Sequence, residues 1–276
     1  MARAPNPTAD GRALSERALY VYGVVPQTTP AELFEEVPGV DPSERVMLVN
    51  EGEVAAVASG VSLDEFGEGP IESNLRDPSW LAEKARAHDR VLATAVGRTT
   101  IVPFRFGAIY RSEEQIRDLL RERTDLSATL GRLEGAVEFG VKAFVDRAVL
   151  RARLAAVGGP AGEPASTGRA YMQRRQLERR LDEDLARFEA DCAHDSHERL
   201  SASAQQGHAN TLQQPEGEDE SRRMILNGAY LVRTDADRGF REALSALERE
   251  YADDGVQFDL TGPWPPYNFV ADEERS

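Results

Sequence analysis

The chain has 276 residues, which on the usual size of about 100–200 residues per domain suggests two domains. Its net charge of −15 argues against a nucleic-acid partner, which wants a basic stripe, and against an anionic membrane surface. No apolar run is long enough to span a bilayer, and residues 1–17 hold no apolar core, so neither a membrane helix nor a signal peptide is expected.

Residues 1–17 read as a flexible arm. Residues 19–25 are a short apolar run stopped by Pro26, the pattern of a buried strand. Residues 31–36 hold one or two helical turns. Strands follow at 46–49 and 54–58, joined by a tight hairpin at Glu51-Gly52. A helix spans 78–96 with Leu81, Ala85, His88, Leu92 and Ala95 on one face, and 101–106 is a fourth strand. A helix over 112–133 opens with a capping box, Ser112 with Gln115 three residues on, and forms the connector 112–135.

The second half starts with Val137, Phe139, Val141, Ala143 and Val145 alternating with Glu138, Gly140 and Lys142, a half-buried strand. Residues 157–168 are Gly- and Pro-rich and read as a flexible linker. A long helix covers 171–200, with Leu177, Leu181, Leu185, Phe188 and Cys192 as its stripe. A weak strand at 208–214 and an acidic loop at 215–220 precede a strand at 224–233. A helix at 236–251 places Phe240, Leu244, Leu247 and Tyr251 in register, and 256–260 is the closing strand before a tail at 271–276. The order β, α, β, β, α, β thus occurs twice. The expected fold class is α+β in two domains, 18–111 and 136–270, each approximating a ferredoxin-like antiparallel sheet with helices on one face, joined by the 112–135 helix.

No catalytic motif is present: neither a GxSxG elbow nor a glycine loop for phosphate or dinucleotide. Asp191, Cys192, His194 and His197 cluster, but zinc wants four convergent ligands and no second pair exists, so a solvated helix end is the preferred reading. Cys192 is the single cysteine, which rules out an intrachain disulfide and fits a reducing cytosol. His88 lies on an apolar face, as a core histidine would. In PFRFG, alternation puts Phe104 and Phe106 on one face and Arg105 on the other. Arg105 either faces a ligand or partner or pairs with a carboxylate on an open sheet face. Arg169, Arg174, Arg175, Arg179 and Arg180 cluster on the long helix with acids close behind, a salt-laced exposed face that a partner could dock on. Last comes GPWPPYNF, residues 262–269. Three prolines cannot donate to a sheet ladder, so the chain must leave the sheet or lie on an edge there. Trp264, Tyr267 and Phe269 either pin this segment to its own domain or present a surface to a partner.

Several of these stretches, taken in order, resemble the gas vesicle accessory family GvpL/GvpF: LYVYGVV at 19–25, VPGV at 37–40, TIVPFRFGAIY at 100–110, LEGAVEFGVKAFVD at 133–146, MILNGAYLV at 224–232 and GPWPPYNFV at 262–270. The similarity spans nearly the whole chain. The 158–168 linker is longer and more polar than a compact member needs, and the first 17 residues have no obvious counterpart. The resemblance implies a non-enzymatic protein with no cofactor and two α+β domains, at least one a modified ferredoxin-like fold. It implies a cytoplasmic role and a minor or transient place on the gas vesicle. The implied partner is the very hydrophobic shell protein GvpA, with other vesicle accessory proteins beside it, and the implied task is to prevent GvpA aggregation or help start the shell. An acidic, soluble partner suits such a client, because free apolar surfaces aggregate. Trp264, Tyr267 and Phe269, held extended by Pro265 and Pro266, are the candidate contacts, with Arg105. The competing reading of the rings is a cap on the second core. The rival function is a small-molecule sensor or enzyme on tandem ferredoxin-like domains, with its ligand near Arg105. Motifs alone leave the split between GvpF and GvpL members open.

Overall fold

A computed structural model describes residues 16–157, 167–213 and 222–270. The arm before residue 16, most of the 157–168 linker, the 215–220 acidic loop and the 271–276 tail lie outside the described residues. The chain forms two compact units. Residues up to 95 with Ile101–Leu130 make the first; Val96–Thr100 with residues from 131 onward make the second.

The first unit carries β1 (Arg17–Pro26), β2 (Val46–Glu51), β3 (Val54–Ser62), α1 (Leu63–Phe66), α2 (Glu68–Asn74), α3 (Pro78–Ala95), β4 (Val102–Pro103), β5 (Ile109–Tyr110) and α4 (Glu113–Glu122). Its antiparallel sheet has the order β2-β3-β1-β4, and β5 also pairs with β1. The β2–β3 hairpin turns at Gly52, whose φ of +58° is the left-handed conformation such a turn needs. β1 and β3 are buried on successive residues, so both faces of this sheet are covered rather than one. The helix α3 lies against β1, and α4 against β2 and β3.

Three expectations change here. The helix expected at 31–36 is one 3₁₀ turn, Ala31–Leu33. The fourth strand is two residues long, because the backbone turns away after Pro103 for the reason given below. The expected connector is two helices, α4 and α5 (Leu126–Leu133), and α4 lies wholly in the first unit. The break follows Arg123, at φ −84° and ψ 71°, whose guanidinium clasps Asp125 at 2.9 and 3.0 Å. The Ser112 cap forms as expected, its hydroxyl accepting from the Gln115 N–H at 3.3 Å.

The second unit carries β6 (Ala136–Asp146), α6 (Arg147–Val157), α7 (Thr167–Ala202), β7 (Gln206–Ala209), β8 (Arg222–Arg233), α8 (Asp237–Tyr251) and β9 (Val256–Trp264). Its sheet is antiparallel with the order β7-β8-β6-β9. In both units, therefore, the strands run second, third, first, fourth across the sheet. One core cluster joins Val137, Phe139 and Val141 of β6 to Tyr230 of β8 and to Phe240, Leu244 and Leu247 of α8. A second joins Ala143 and Val145 to Leu150, Leu185, Cys192 and Val256. Helix α6 is an addition to the expected order. Asp146 starts it by accepting from the N–H groups of Ala148 and Val149 at 2.9 and 3.1 Å.

Candidate functional site

The proline–aromatic segment is built on β9, which among the described residues pairs only with β6 and is an edge strand, where Pro263 needs no ladder partner. Thr261 faces Gly140 and Trp264 faces Glu138, so β9 carries one extra residue there, a bulge. Gly262 makes it possible. It sits at φ +107°, and a Cβ on it would approach the Glu138 carbonyl oxygen to 2.8 Å.

Past the bulge the chain is tied down by an acid. The Glu138 carboxylate, only 6% exposed, accepts from the Asn268 backbone N–H at 2.9 Å and from Asn268 Nδ2 at 2.6 Å. Arg132 Nη2 donates to the Phe269 carbonyl at 2.7 Å. Burial pushes the Glu138 carboxyl above its ordinary range, and the two bonds from Asn268 pull it back. A buried carboxylate is tolerated only with such donors. Nothing in the alternating pattern of β6 marks Glu138 for this role, since it reads as one more solvent-facing position beside Gly140 and Lys142.

The lock sorts the expected contacts. Pro265, Pro266 and Phe269 are buried, Tyr267 is half-buried, and Trp264 is 48% exposed. The Trp264 ring is thus the part of the segment that stands out to solvent.

Arg105 belongs to the first unit and is also exposed, with no carboxylate paired to it among the described residues. Its neighbours point inward and are pinned. Phe104 N–H donates to the Tyr22 carbonyl at 2.8 Å, and Gly107 N–H donates to the Tyr20 hydroxyl at 3.1 Å, which draws the chain out of the strand. Tyr20 Oη stands 2.9 Å from His88 Nδ1, and His88 also bonds the Phe104 backbone. The bond to the Phe104 backbone favours the protonated ring. Burial nonetheless pushes His88 down to about 4. Phe106 closes the cluster, its ring centroid 5.8 Å from Tyr20, 5.9 Å from His88 and 6.2 Å from Trp80. Nearby, the Val40 N–H donates to the Tyr22 hydroxyl at 2.8 Å, and buried Lys84 donates to the Val40 carbonyl at 3.1 Å and pairs with Glu65 at 2.9 Å. The VPGV and PFRFG motifs are held by one buried polar and aromatic cluster.

The histidine–cysteine cluster of α7 does not converge. Cys192 is buried in the core, its thiol pushed up to about 12 by that burial. His194 is exposed, and His197 Nδ1 meets the Tyr230 hydroxyl at 3.0 Å. Among the described residues no three His, Cys, Asp or Glu side chains gather as a metal site. Two open depressions, of about 390 and 370 Å³, are lined by charged side chains of α8 and of the 35–45 loop, and neither includes Arg105. Among the described residues no helix is long and apolar enough to cross a membrane.

The family model described as gas vesicle synthesis protein GvpL/GvpF matches residues 18–271. Gas vesicle protein L of Streptomyces sp. (strain CB03234) is 33% identical over 266 residues, covering 94% of this chain and 96% of the relative. Gas vesicle protein F1 of Halobacterium salinarum is 27% identical, covering 91% and 92%. In fold, the chain is similar to the crystal structure of GvpF from Anabaena sp. PCC7120, with a TM-score of 0.66 at 20% identity over 92% of this chain and 96% of that one. It is similar also to GvpF from Microcystis aeruginosa, with a TM-score of 0.63 at 22% identity over 92% and 99%.

Proposed function

The chain belongs to the GvpL/GvpF family of gas vesicle synthesis proteins, and from that membership we propose that it is a non-catalytic accessory protein that binds the hydrophobic shell subunit GvpA, keeping it from aggregating or helping the shell to nucleate. It works in the cytoplasm, beside other vesicle accessory proteins, as a minor or transient component of the vesicle. The observation that carries the client contact is Trp264, 48% exposed on an edge strand whose continuation is locked by Glu138, Asn268 and Phe269. A large ring carried on a backbone already held in place binds at less ordering cost, and tryptophan is enriched among residues that dominate binding energy. The net charge of −15 keeps the complex soluble while apolar surface is covered. In the same reading each unit is a ferredoxin-like pass. The shared strand order supports this in both, and the second unit also has helices in both crossovers, whereas the first has a 3₁₀ turn in one.

The test is co-expression with GvpA in a host lacking other vesicle proteins. The expected result is a soluble complex that purifies together. Trp264→Ala should cut the recovered GvpA at least about tenfold, as expected when an interface anchor is removed, with thermal unfolding of the chain unchanged. GvpA that precipitates equally with and without the chain overturns the proposal, and full recovery by Trp264→Ala removes Trp264 from it.

A further inference from the structure

The helix α7 is 36 residues long, about 54 Å at the rise of an α-helix, and it outruns the sheet it packs on. Leu185, Cys192, Ser196 and Leu200 in its C-terminal part are buried. Residues 174–180, by contrast, are exposed at seven successive positions, so every face of those two turns meets solvent. Leu177 is 47% exposed there. On a helical wheel Leu177 and Leu181 continue the apolar line of Leu185 and Phe188, and Arg174 and Arg180 sit roughly 60° to either side of Leu177. Arg175 and Arg179 lie on the reverse. None of these four arginines has a carboxylate partner among the described residues. Of the acids within helical reach, Asp182 pairs with Arg151 at 2.8 Å and Asp184 with Arg187 at 3.5 Å, while Glu178 and Glu183 lie beside the arginines without an ion pair to them among the described residues.

An apolar stripe flanked by unpaired cations, on a chain of net charge −15, is a local inversion of the molecule's surface. We propose that residues 174–181 of α7 dock an acidic amphipathic helix from a partner protein, its apolar residues on Leu177 and Leu181 and its carboxylates on Arg174 and Arg180. Two observations select this occupant. The leucines ask for apolar groups at three- and four-residue spacing, which a helix supplies. The acidic bulk of the chain repels an extended polyanion such as nucleic acid or an anionic bilayer, while a short acidic helix needs only the local arginines. The inference does not rest on the shell-subunit reading, which uses Trp264.

The full chain is titrated against a fluorescently labelled synthetic helix of about 20 residues with leucine at heptad core positions and glutamate on its flanks. A glutamine version of the peptide serves as control. Binding to the glutamate peptide should be weakened by salt. It should fall at least about tenfold in Arg174→Glu/Arg180→Glu and again in Leu177→Asp, as loss of paired charges or of the anchor predicts, with circular dichroism and thermal unfolding unchanged. Trp264→Ala should leave it as it was, which separates this surface from the client contact. No binding, equal binding of the glutamine peptide, or binding indifferent to the arginine reversals overturns the proposal. So does displacement of the peptide by phosphatidylglycerol vesicles, or a doubling of mass in light scattering that the same reversals abolish. These last two assign the stripe to lipid or to a second copy of the chain.

Discussion

Acid should loosen the first unit through His88. The ring is 2% exposed and held neutral, with a pKa pushed from 6.5 down to about 4 by burial. Between those values the unfolded chain binds the proton and the folded chain does not. Its contribution to stability is therefore complete above about pH 6.5 and is lost as the pH falls through about 4. At 1.36 kcal/mol per pKa unit this amounts to roughly 3 kcal/mol, a large share of the about 5–15 kcal/mol that holds a domain. The chain has two tryptophans, so Trp264→Phe leaves Trp80, packed beside Phe106 in the same cluster, as the sole fluorescent reporter of this unit. Urea unfolding in that background, at steps between about pH 4 and 7.5, compares His88 with His88→Gln. Glutamine cannot titrate, and it costs about 1–3 kcal/mol at neutral pH by leaving a buried group unpaired. The histidine protein should start more stable and lose about 3 kcal/mol more on acidification, with a steepest difference in slope of about one proton. Carboxylates elsewhere titrate in both proteins and cancel. Two curves that run parallel across the range would refute the assignment of a buried neutral imidazole.

Asn268→Ala should cost about 1.5–3 kcal/mol at pH 7, because the buried Glu138 carboxylate loses the Nδ2 donor and keeps only the backbone N–H. The folded pKa of Glu138 is already raised, so its charge costs stability as the pH rises, and losing Asn268 raises that pKa further. The penalty of the variant should therefore shrink on acidification, and an equal penalty in acid and at neutrality, read by circular dichroism, contradicts the lock. Phe269→Ala should cost about 3–5 kcal/mol as a buried ring, whereas Trp264→Ala should stay within about 0.5 kcal/mol; similar losses for both would mean that the segment does not divide into support and display. Cys192, its thiol pushed up to about 12, should resist a thiol reagent at neutral pH in the native protein and give one equivalent after unfolding. Rapid native labelling would show that α7 does not seal it.

Strand patterns gave away most of the two sheets. The β1 run, the β2–β3 hairpin and the β6 alternation are visible because each has a strict period and a marked turn. Helices proved legible in type but not in extent. Leu177 to Cys192 form a true stripe, yet the sheet covers only its later part, and periodicity carries no information about where the covering surface stops. The residues 147–157 went unread as helix because the capping carboxylate of Asp146 looks like any strand-end acid. In PFRFG the inward phenylalanines and the outward arginine follow the alternation, but the backbone leaves the sheet at Pro103. The agent is the Tyr20 hydroxyl, distant in sequence. Glu138 is the same kind of case: its partner lies 130 positions away, and no local signal couples an alternating acid to an asparagine after two prolines.

The shared strand order has a consequence for how the chain comes off the ribosome. In each unit the strand made first becomes an interior strand, and the strand that flanks its outer side is made last. β1 waits for residues near 110, which complete β4 and β5, and β6 for residues near 264 before both sides are covered. Until then each nascent sheet shows an open edge to whatever else is being translated nearby. Pairings this far apart in sequence are slow to form, because loop closure must precede any reward. The bulge, the prolines and the Glu138 clasp all act on that last strand, so the elements that finish the second sheet also limit how long its edge stays bare.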